Sequence, residues 1–499
     1  MADHNFPSRT WQTRRAQFTL SLLTFTLAWV SMSHGQALEF KPCSLTGSGG
    51  NGNLAAQCAT WARPLNYAQP DGDQIELFVT KLASTALEPA TDAFTIINGG
   101  PGGSSIDLLV DLAQIIRLFT SERDVIVIDQ RGTGRSSPLL CDNITDSVDD
   151  FTTEETLQLT QKCLEVLSHD PRYFTTTVAI QDLEALRQAL GYEALSLYGV
   201  SYGTRVAQQY MREFPQQTRA VVIDGVVPPT QILGTEIAIH SQEALISAFT
   251  RCAESTACAA AFPDLEADFS TLQDTLRNNP VPLTLNHPVT GQPTEIELSY
   301  AHLMAYIRFA LYAPEMTSLI PLVITQAAKE QNYLPIAANA LRLIHNVTES
   351  INYGMHNAVM CTEDVPFFTE ATIDKERMQA SYIGMEMFDT LGAMCDVWPP
   401  GELHPDMKAS LVSDVPTLIL SGEHDPITPP TWGEAVKPGL KNSIHIIAPG
   451  QGHGTIARGC IPTLIKEFIE QPDPNALDTS CVKHLGASPF FVSPMGPPP

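Results

Sequence analysis

The segment 195–204 constrains this chain more than any other. An apolar run, Leu195-Ser196-Leu197-Tyr198, leads into Gly199-Val200-Ser201-Tyr202-Gly203, and a helical pattern follows. Gly-x-Ser-x-Gly turns up by chance in about one chain of this length in six, so context has to decide its meaning. The residues after it place Val206, Tyr210 and Met211 on one side of a helix and Arg205, Gln209 and Arg212 largely on the other. A strand, a serine between glycines and a helix, in that order, have the form of a nucleophile elbow. The turn is so tight that side chains flanking the serine would collide, and it lifts the hydroxyl above the sheet edge beside a helix N-terminus.

The rest of the chain fits a sheet around that turn. Asp73 to Ala83 alternates as a strand does, and Phe94-Thr95-Ile96-Ile97 and Asp124 to Asp129 read as buried strands. Helices are expected at about 106–119, 152–168 and 177–190, and a further strand over Arg219 to Val227. Strand and helix alternate through this half, which argues a mainly parallel sheet with helices on both faces. The rhythm breaks at Pro228-Pro229. Strand character returns only at 415–422 and 443–447, with a helix near 460–470. The intervening 228–405 therefore reads as an inserted, mostly helical cap over the site. It divides a core of 38–227 and 406–487. Residues 38–60 read as a Gly- and Asn-rich loop, and the Pro-rich end, 488–499, as a flexible tail.

The first 37 residues read as a signal peptide. Arg14 and Arg15 precede an apolar run from Phe18 to Val30, and Gly35-Gln36-Ala37 suits cleavage. Such a run is shorter than the roughly 20 residues a membrane span needs, so no stable membrane insertion is expected. The export implied, periplasmic or extracellular, agrees with ten cysteines beyond the leader, an even number suited to disulfides. No C-x-x-C occurs and no histidine stands at ligand spacing from a cysteine pair, so neither a metal nor another cofactor is expected. Cysteines close in sequence are expected to pair, because the loops closed are short: Cys43–Cys58, Cys141–Cys163, Cys252–Cys258, Cys361–Cys395 and Cys460–Cys481. The formal charge is −26, and loss of a leader with three arginines and one aspartate makes it −28. A surface this acidic repels nucleic acid and anionic membranes. The sequence leaves the oligomeric state open.

A serine hydroxyl needs a base to become a nucleophile, and the base needs a carboxylate to orient it. Strand 415–422 ends in Glu423-His424-Asp425-Pro426, and strand 443–447 is followed by Gly450-Gln451-Gly452-His453-Gly454. Asp425 and His453 thus stand on loops after strands and follow Ser201 in the order Ser, acid, His. Glu423, His424 and His445 are the competitors: Glu423 is nearer the strand end but is expected to face the neighbouring loop, and the two histidines lie on or beside strands, where a structural role is commoner. An oxyanion hole requires two backbone N–H groups. Tyr202, after the nucleophile, is one candidate. Gly100, in Asn98-Gly-Gly-Pro-Gly-Gly-Ser104, is the other. A phosphate-binding role for that loop fails, because no Lys-Ser/Thr follows and Pro101 lacks a donor.

Three motifs, Asn98-Gly-Gly-Pro-Gly-Gly-Ser104, Asp129-Gln-Arg-Gly-Thr-Gly-Arg-Ser136 and Gly199-Val-Ser-Tyr-Gly-Thr204, together resemble the prolyl-aminopeptidase family of α/β-hydrolases. Tyr173-Phe-Thr-Thr-Thr, Asp182-Leu-Glu-Ala-Leu-Arg187, Asp224-Gly-Val226, Cys361-Thr-Glu-Asp364, Cys395-Asp-Val-Trp-Pro399 and Gly452-His-Gly454 are similar to its secreted, tripeptidyl-aminopeptidase-like branch. The resemblance bears most closely on the pairs Cys361–Cys395 and Cys460–Cys481. It implies an α/β-hydrolase fold and a serine exopeptidase acting on peptides with a free N-terminus. Asn98 departs from the histidine usual in aminopeptidases proper, which weakens an expectation of strict proline specificity. A free N-terminus implies acidic groups in the cap, and Glu363 and Asp364 are the candidates by chemistry and position. A small-molecule esterase or amidase on the same scaffold is the alternative.

Overall fold

Strands apolar on both faces belong in the middle of a sheet covered on both sides. In chain order the strands are β1 (Lys41–Leu45), β2 (Leu54–Pro64), β3 (Gln74–Leu82), β4 (Ala93–Ile97), β5 (Asp124–Ile128), β6 (Leu195–Val200), β7 (Thr218–Asp224), β8 (Val281–Asn286), β9 (Pro293–Leu298), β10 (Thr417–Gly422) and β11 (Ser443–Ala448). β4, β5, β6, β7 and β10 are buried almost throughout. They form the centre of a nine-stranded sheet of order β1-β2-β3-β5-β4-β6-β7-β10-β11. From β5 to β11 neighbours run parallel, while β1, β2 and β3 add an antiparallel edge. This is the α/β-hydrolase architecture. The computed structural model describes residues 38–47, 53–141 and 153–497, so the expected leader lies outside the described residues.

Side chains alternate across the sheet and feed two cores. Leu195, Leu197, Val221, Ile223 and Ile419 face one. Tyr198, Ala220, Val222, Leu418 and Leu420 face the other. The helix Tyr202–Glu213 covers the first core with Tyr202, Val206 and Tyr210, and the helix Ile461–Glu470 covers the second with Ile461, Leu464, Ile465 and Phe468. Both sets repeat at three to four residues, the spacing of one helix face.

Between β7 and β10 the chain builds a separate apolar core from helices, including Ile237–Glu254, Tyr300–Ala310 and Ile320–Glu330. A hairpin of β8 and β9 interrupts the helices, its residues alternating between exposed and half-buried.

Three local expectations change. Residues 38–60, read as loop, contain β1 and β2, paired with Cys43 opposite Ala56. The residues that suggested a loop include 48–52, which lie outside the described residues, and Leu45, Leu54 and Trp61 are buried. The helix expected over 106–119 is broken at Leu112, whose φ of −89° and ψ of 12° leave the helical region. The Pro-rich tail is anchored: Phe490 is buried in the cap core under the Arg251 guanidinium, and the amide of Phe491 donates to the Ser318 carbonyl. An aromatic pair outweighs the prolines around it, because burying one such ring stabilises by about 1.5–3 kcal/mol.

The cysteines form five disulfides, in the pairs expected. Cys361–Cys395 joins the helices Tyr353–Glu363 and Glu386–Val397. Among the described residues no helix is long and apolar enough to cross a membrane.

Candidate active site

β4 and β6 are neighbours, with Ile97 opposite Gly199, so the loops that leave their ends meet. The loop after β6 carries Ser201, whose φ of 57° and ψ of −129° lie where a residue with a side chain is strained. Its amide donates to the Asp224 carbonyl at 2.9 Å, which locks the turn to β7. A Cβ on Gly199 would strike the Gly203 carbonyl, and one on Gly203 would strike that of Ile97. The two glycines of the motif are thus required by the backbone and not by a ligand.

β10 and β11 carry the partners. Asp425, buried at 4% exposure, accepts from the amides of Ile427 and Thr428, both at 2.9 Å, through Oδ1. Its Oδ2 lies 2.8 Å from His453 Nδ1. Oδ2 also accepts from the Thr428 hydroxyl at 2.8 Å. Nδ1 is engaged with Asp425, and Ser201 and His453 line one cavity. Burial alone would lower the His453 pKa. The charge of Asp425, its hydrogen bond and the charge of Asp224 outweigh that and raise it. Glu423 instead accepts from the amide of Gly450, and His445 bridges Ser421 and Glu434.

Several residues that the sequence reading gave no role hold this geometry. Asp224, at the end of β7, accepts from the amides of Thr455 and Ile456 at 2.7 and 3.0 Å and from the Tyr198 hydroxyl at 2.8 Å. It thereby fixes the loop just after His453. A Cβ on Gly225 would stand 3.2 Å from His453 Cε1, and Gly225 has a φ of 64°, so only glycine fits. Tyr312, from the cap, accepts the His453 amide hydrogen on its carbonyl.

On the other side of Ser201, the position of a Gly99 Cβ is 2.7 Å from that of Ser201. The Gly99 amide is committed to Asn98 Oδ1 at 2.7 Å, so the loop's next amide is Gly100. Tyr202 is the first residue of its helix, where an amide has no intrahelical acceptor. Asp129 braces this loop from below. It accepts from the Ser104 hydroxyl at 2.7 Å and from the amides of Ile106 and Arg135, both at 3.0 Å. Burial raises its pKa to about 6.

Glu363 and Asp364 do not reach the cavity, which corrects the expectation that they bind a substrate amine. Both are fully buried. The Arg205 guanidinium grips Asp364 at 2.7 and 2.9 Å, and Lys408 reaches the same carboxylate at 2.8 Å. Glu363 accepts from the amide and hydroxyl of Thr176 at 2.8 and 2.9 Å, and that hydroxyl meets the Tyr202 hydroxyl at 2.6 Å. The two acids thus tether the Tyr353–Glu363 helix to the helix after Ser201. Arg205 lies on the polar side of that helix, and this side is buried against them. Asp364 is thus paired with two internal cations and Glu363 is satisfied by Thr176, and neither residue lines the cavity.

The cavity above Ser201 has a volume of about 750 Å³. Its walls are mainly apolar side chains of the cap, among them Met304, Leu343, Met387 and Leu391. Glu386 and Arg308 are the acidic and the strongly basic side chain among its lining residues. Among the described residues no cluster of His, Cys, Asp or Glu could hold a metal ion.

Residues 92–281 match the family described as alpha/beta hydrolase fold, and residues 380–481 match the family described as TAP-like protein. The chain is 26% identical over 472 residues to the serine protease Hip1 of Mycobacterium tuberculosis (strain ATCC 25618 / H37Rv), covering 87% of this chain and 89% of that protein. It is 30% identical over 193 residues to a tripeptidyl aminopeptidase of Streptomyces lividans, covering 35% of this chain and 36% of that one. Carboxylesterase B of Mycobacterium tuberculosis (strain CDC 1551 / Oshkosh) is 26% identical over 410 residues, covering 75% of this chain and 76% of that protein.

Proposed function

We propose that this chain, a serine hydrolase of the α/β-hydrolase fold, is an exported exopeptidase that cleaves peptides near a free N-terminus. The observation that carries the reading is one cavity lined by Ser201, His453 and Glu386. The peptidases among its relatives support a peptide substrate. The leader-like N-terminus and five disulfides support export.

In this reading Ser201 Oγ attacks the scissile carbonyl carbon as His453 Nε2 takes its proton. Asp425 holds Nδ1–H and stabilises the imidazolium. The amides of Gly100 and Tyr202 receive the oxyanion. The tetrahedral intermediate collapses, the C–N bond breaks, and His453 returns the proton to the leaving amine. Water then repeats the sequence on the acyl-enzyme and regenerates Ser201. The substrate ammonium is received by Glu386, which takes over the role expected of Glu363 and Asp364. An ammonium entering an apolar cavity needs a paired charge there.

Aminoacyl- and tripeptidyl-chromogenic substrates, with free and acetylated N-termini, test the reading. Acetylation should reduce kcat/KM by orders of magnitude, and Glu386→Gln should weaken free-amine substrates far more than blocked ones. Equal turnover of both forms would favour the second reading, a hydrolase of small esters. That reading is supported by the apolar walls and by the carboxylesterase relative.

A further inference from the structure

We propose that Arg308 is the receptor for a substrate carboxylate on the leaving-group side of the scissile bond, so that the cavity selects short peptides with a free C-terminus. The proposal rests on the peptidase reading and adds the other end of the substrate to it.

Arg308 lies on the cap helix Tyr300–Ala310 and lines the cavity together with Ser201 and His453. Among the described residues it makes no salt bridge, and its Nε is buried without a partner. The Nε of Arg205 is also without a partner, but Arg205 and Arg131 each grip a carboxylate and Arg308 grips none. Arg308 has instead the Phe309 ring, 5.2 Å from its guanidinium carbon, the Tyr312 hydroxyl and the neighbouring His356 and Tyr382. None of these carries negative charge at neutral pH. A cation held in an apolar site is costly without a counter-charge. A guanidinium that lines a cavity with no carboxylate against it calls for an explanation, and a ligand carboxylate is one. The planar guanidinium fork is suited to a carboxylate, which it binds through two parallel hydrogen bonds.

The position of Arg308 indicates which end of the substrate it meets. It contacts Tyr312, and the Tyr312 ring packs edge-to-face on His453 at 5.1 Å. His453 delivers the proton to the leaving amine, so Arg308 lies on the leaving-group side. A volume of about 750 Å³ falls within the range of about 300–1,000 Å³ typical of sites for drug-sized ligands. Such a space fits a peptide of a few residues. Glu386 and Arg308 in one apolar cavity match the two charged ends of such a molecule.

Calorimetric binding of trialanine and trialanine amide to the Ser201→Ala protein tests the proposal without turnover. The free acid should bind about tenfold or more tightly than the amide, the range expected for a charge-assisted pair. In a Ser201→Ala/Arg308→Gln protein the acid should fall to the level of the amide, and Arg308→Lys should keep part of the difference. Equal affinity of acid and amide for Ser201→Ala overturns the proposal, even if the Arg308 variants do not fold. So does a preference for the acid that survives Arg308→Gln, or no measurable binding of either form at millimolar peptide. Peptide turnover by the unmodified protein is scored separately. Its absence defeats the peptidase reading, while the acid-to-amide ratio still decides the role of Arg308.

Discussion

The carbonyl of Tyr312 accepts the amide hydrogen of His453 at 2.9 Å, and their rings meet edge-to-face at 5.1 Å. Tyr312 belongs to the cap and His453 to the loop after β11, so the cap both roofs the site and holds the proposed base. Aromatic contacts of this geometry stabilise by about 0.5–1.5 kcal/mol. Tyr312→Ala keeps the backbone hydrogen bond and removes the ring. It should lower kcat about tenfold while shifting Tm by only a few degrees. Steady-state kinetics and a thermal melt check this. An unchanged kcat would reduce the contact to simple packing.

Turnover should rise with pH through a value above about 6.5, the ordinary imidazole pKa. Burial alone would lower the His453 pKa, but Asp425 and Asp224 reverse the sign and raise it. Acylation needs the neutral ring, so the acid limb moves up with that pKa. Asp425→Asn should cut kcat by about 10⁴ and shift the remaining limb to lower pH, because burial then prevails. A profile of kcat/KM flat from pH 5 to 8 would exclude His453 as the base.

Ser201→Ala should reduce kcat by on the order of 10⁶ while the protein stays folded. A fluorophosphonate probe should label Ser201 and no other residue. Activity above a few per cent in a preparation free of other hydrolases would remove Ser201 from the mechanism.

Asp364→Asn should destabilise by about 3–5 kcal/mol, since it strips the nearest partner from a buried guanidinium. Glu363→Gln should cost less. Its carboxylate stands 3.6 Å from Arg205, against 2.7 Å for Asp364, and burial already raises its pKa. Both substitutions should affect free-amine and acetylated substrates alike. A selective loss on free amines would return these acids to substrate binding. Denaturant melts and the paired substrates give the two readouts.

Removing the Cys361–Cys395 bridge should cost about 3–4 kcal/mol on a loop-closure estimate for its separation of 34 residues. The two helices it joins also carry Met360 and Met394 into the cavity wall. The double alanine variant should therefore raise KM as well as lower Tm. A lower Tm with unchanged KM would show that the cap wall keeps its shape without the bridge.

Much of the fold was legible because it is written in local periods. Alternation placed β3. Apolar runs placed the central strands, and a spacing of three to four placed the Tyr202–Glu213 and Ile461–Glu470 helices. The pairing of β1 with β2 was hidden because the glycine-rich sequence between them spoke louder than their few apolar residues. Phe490 was hidden by the prolines around it.

The sequence by itself determined that a serine stands at a strained turn after a strand, that Asp425 and His453 follow later strands, and that neighbouring cysteines pair. Each depends on residues a few positions apart or on chain order, which survive in one dimension. Only the tertiary structure decided which charged groups meet the cavity beside Ser201. Asp364 is buried against Arg205, 159 positions away, while Glu386 and Arg308 line the cavity. Which charged side chain faces a cavity depends on what packs around it, and for Asp364 that neighbour lies far off in the chain.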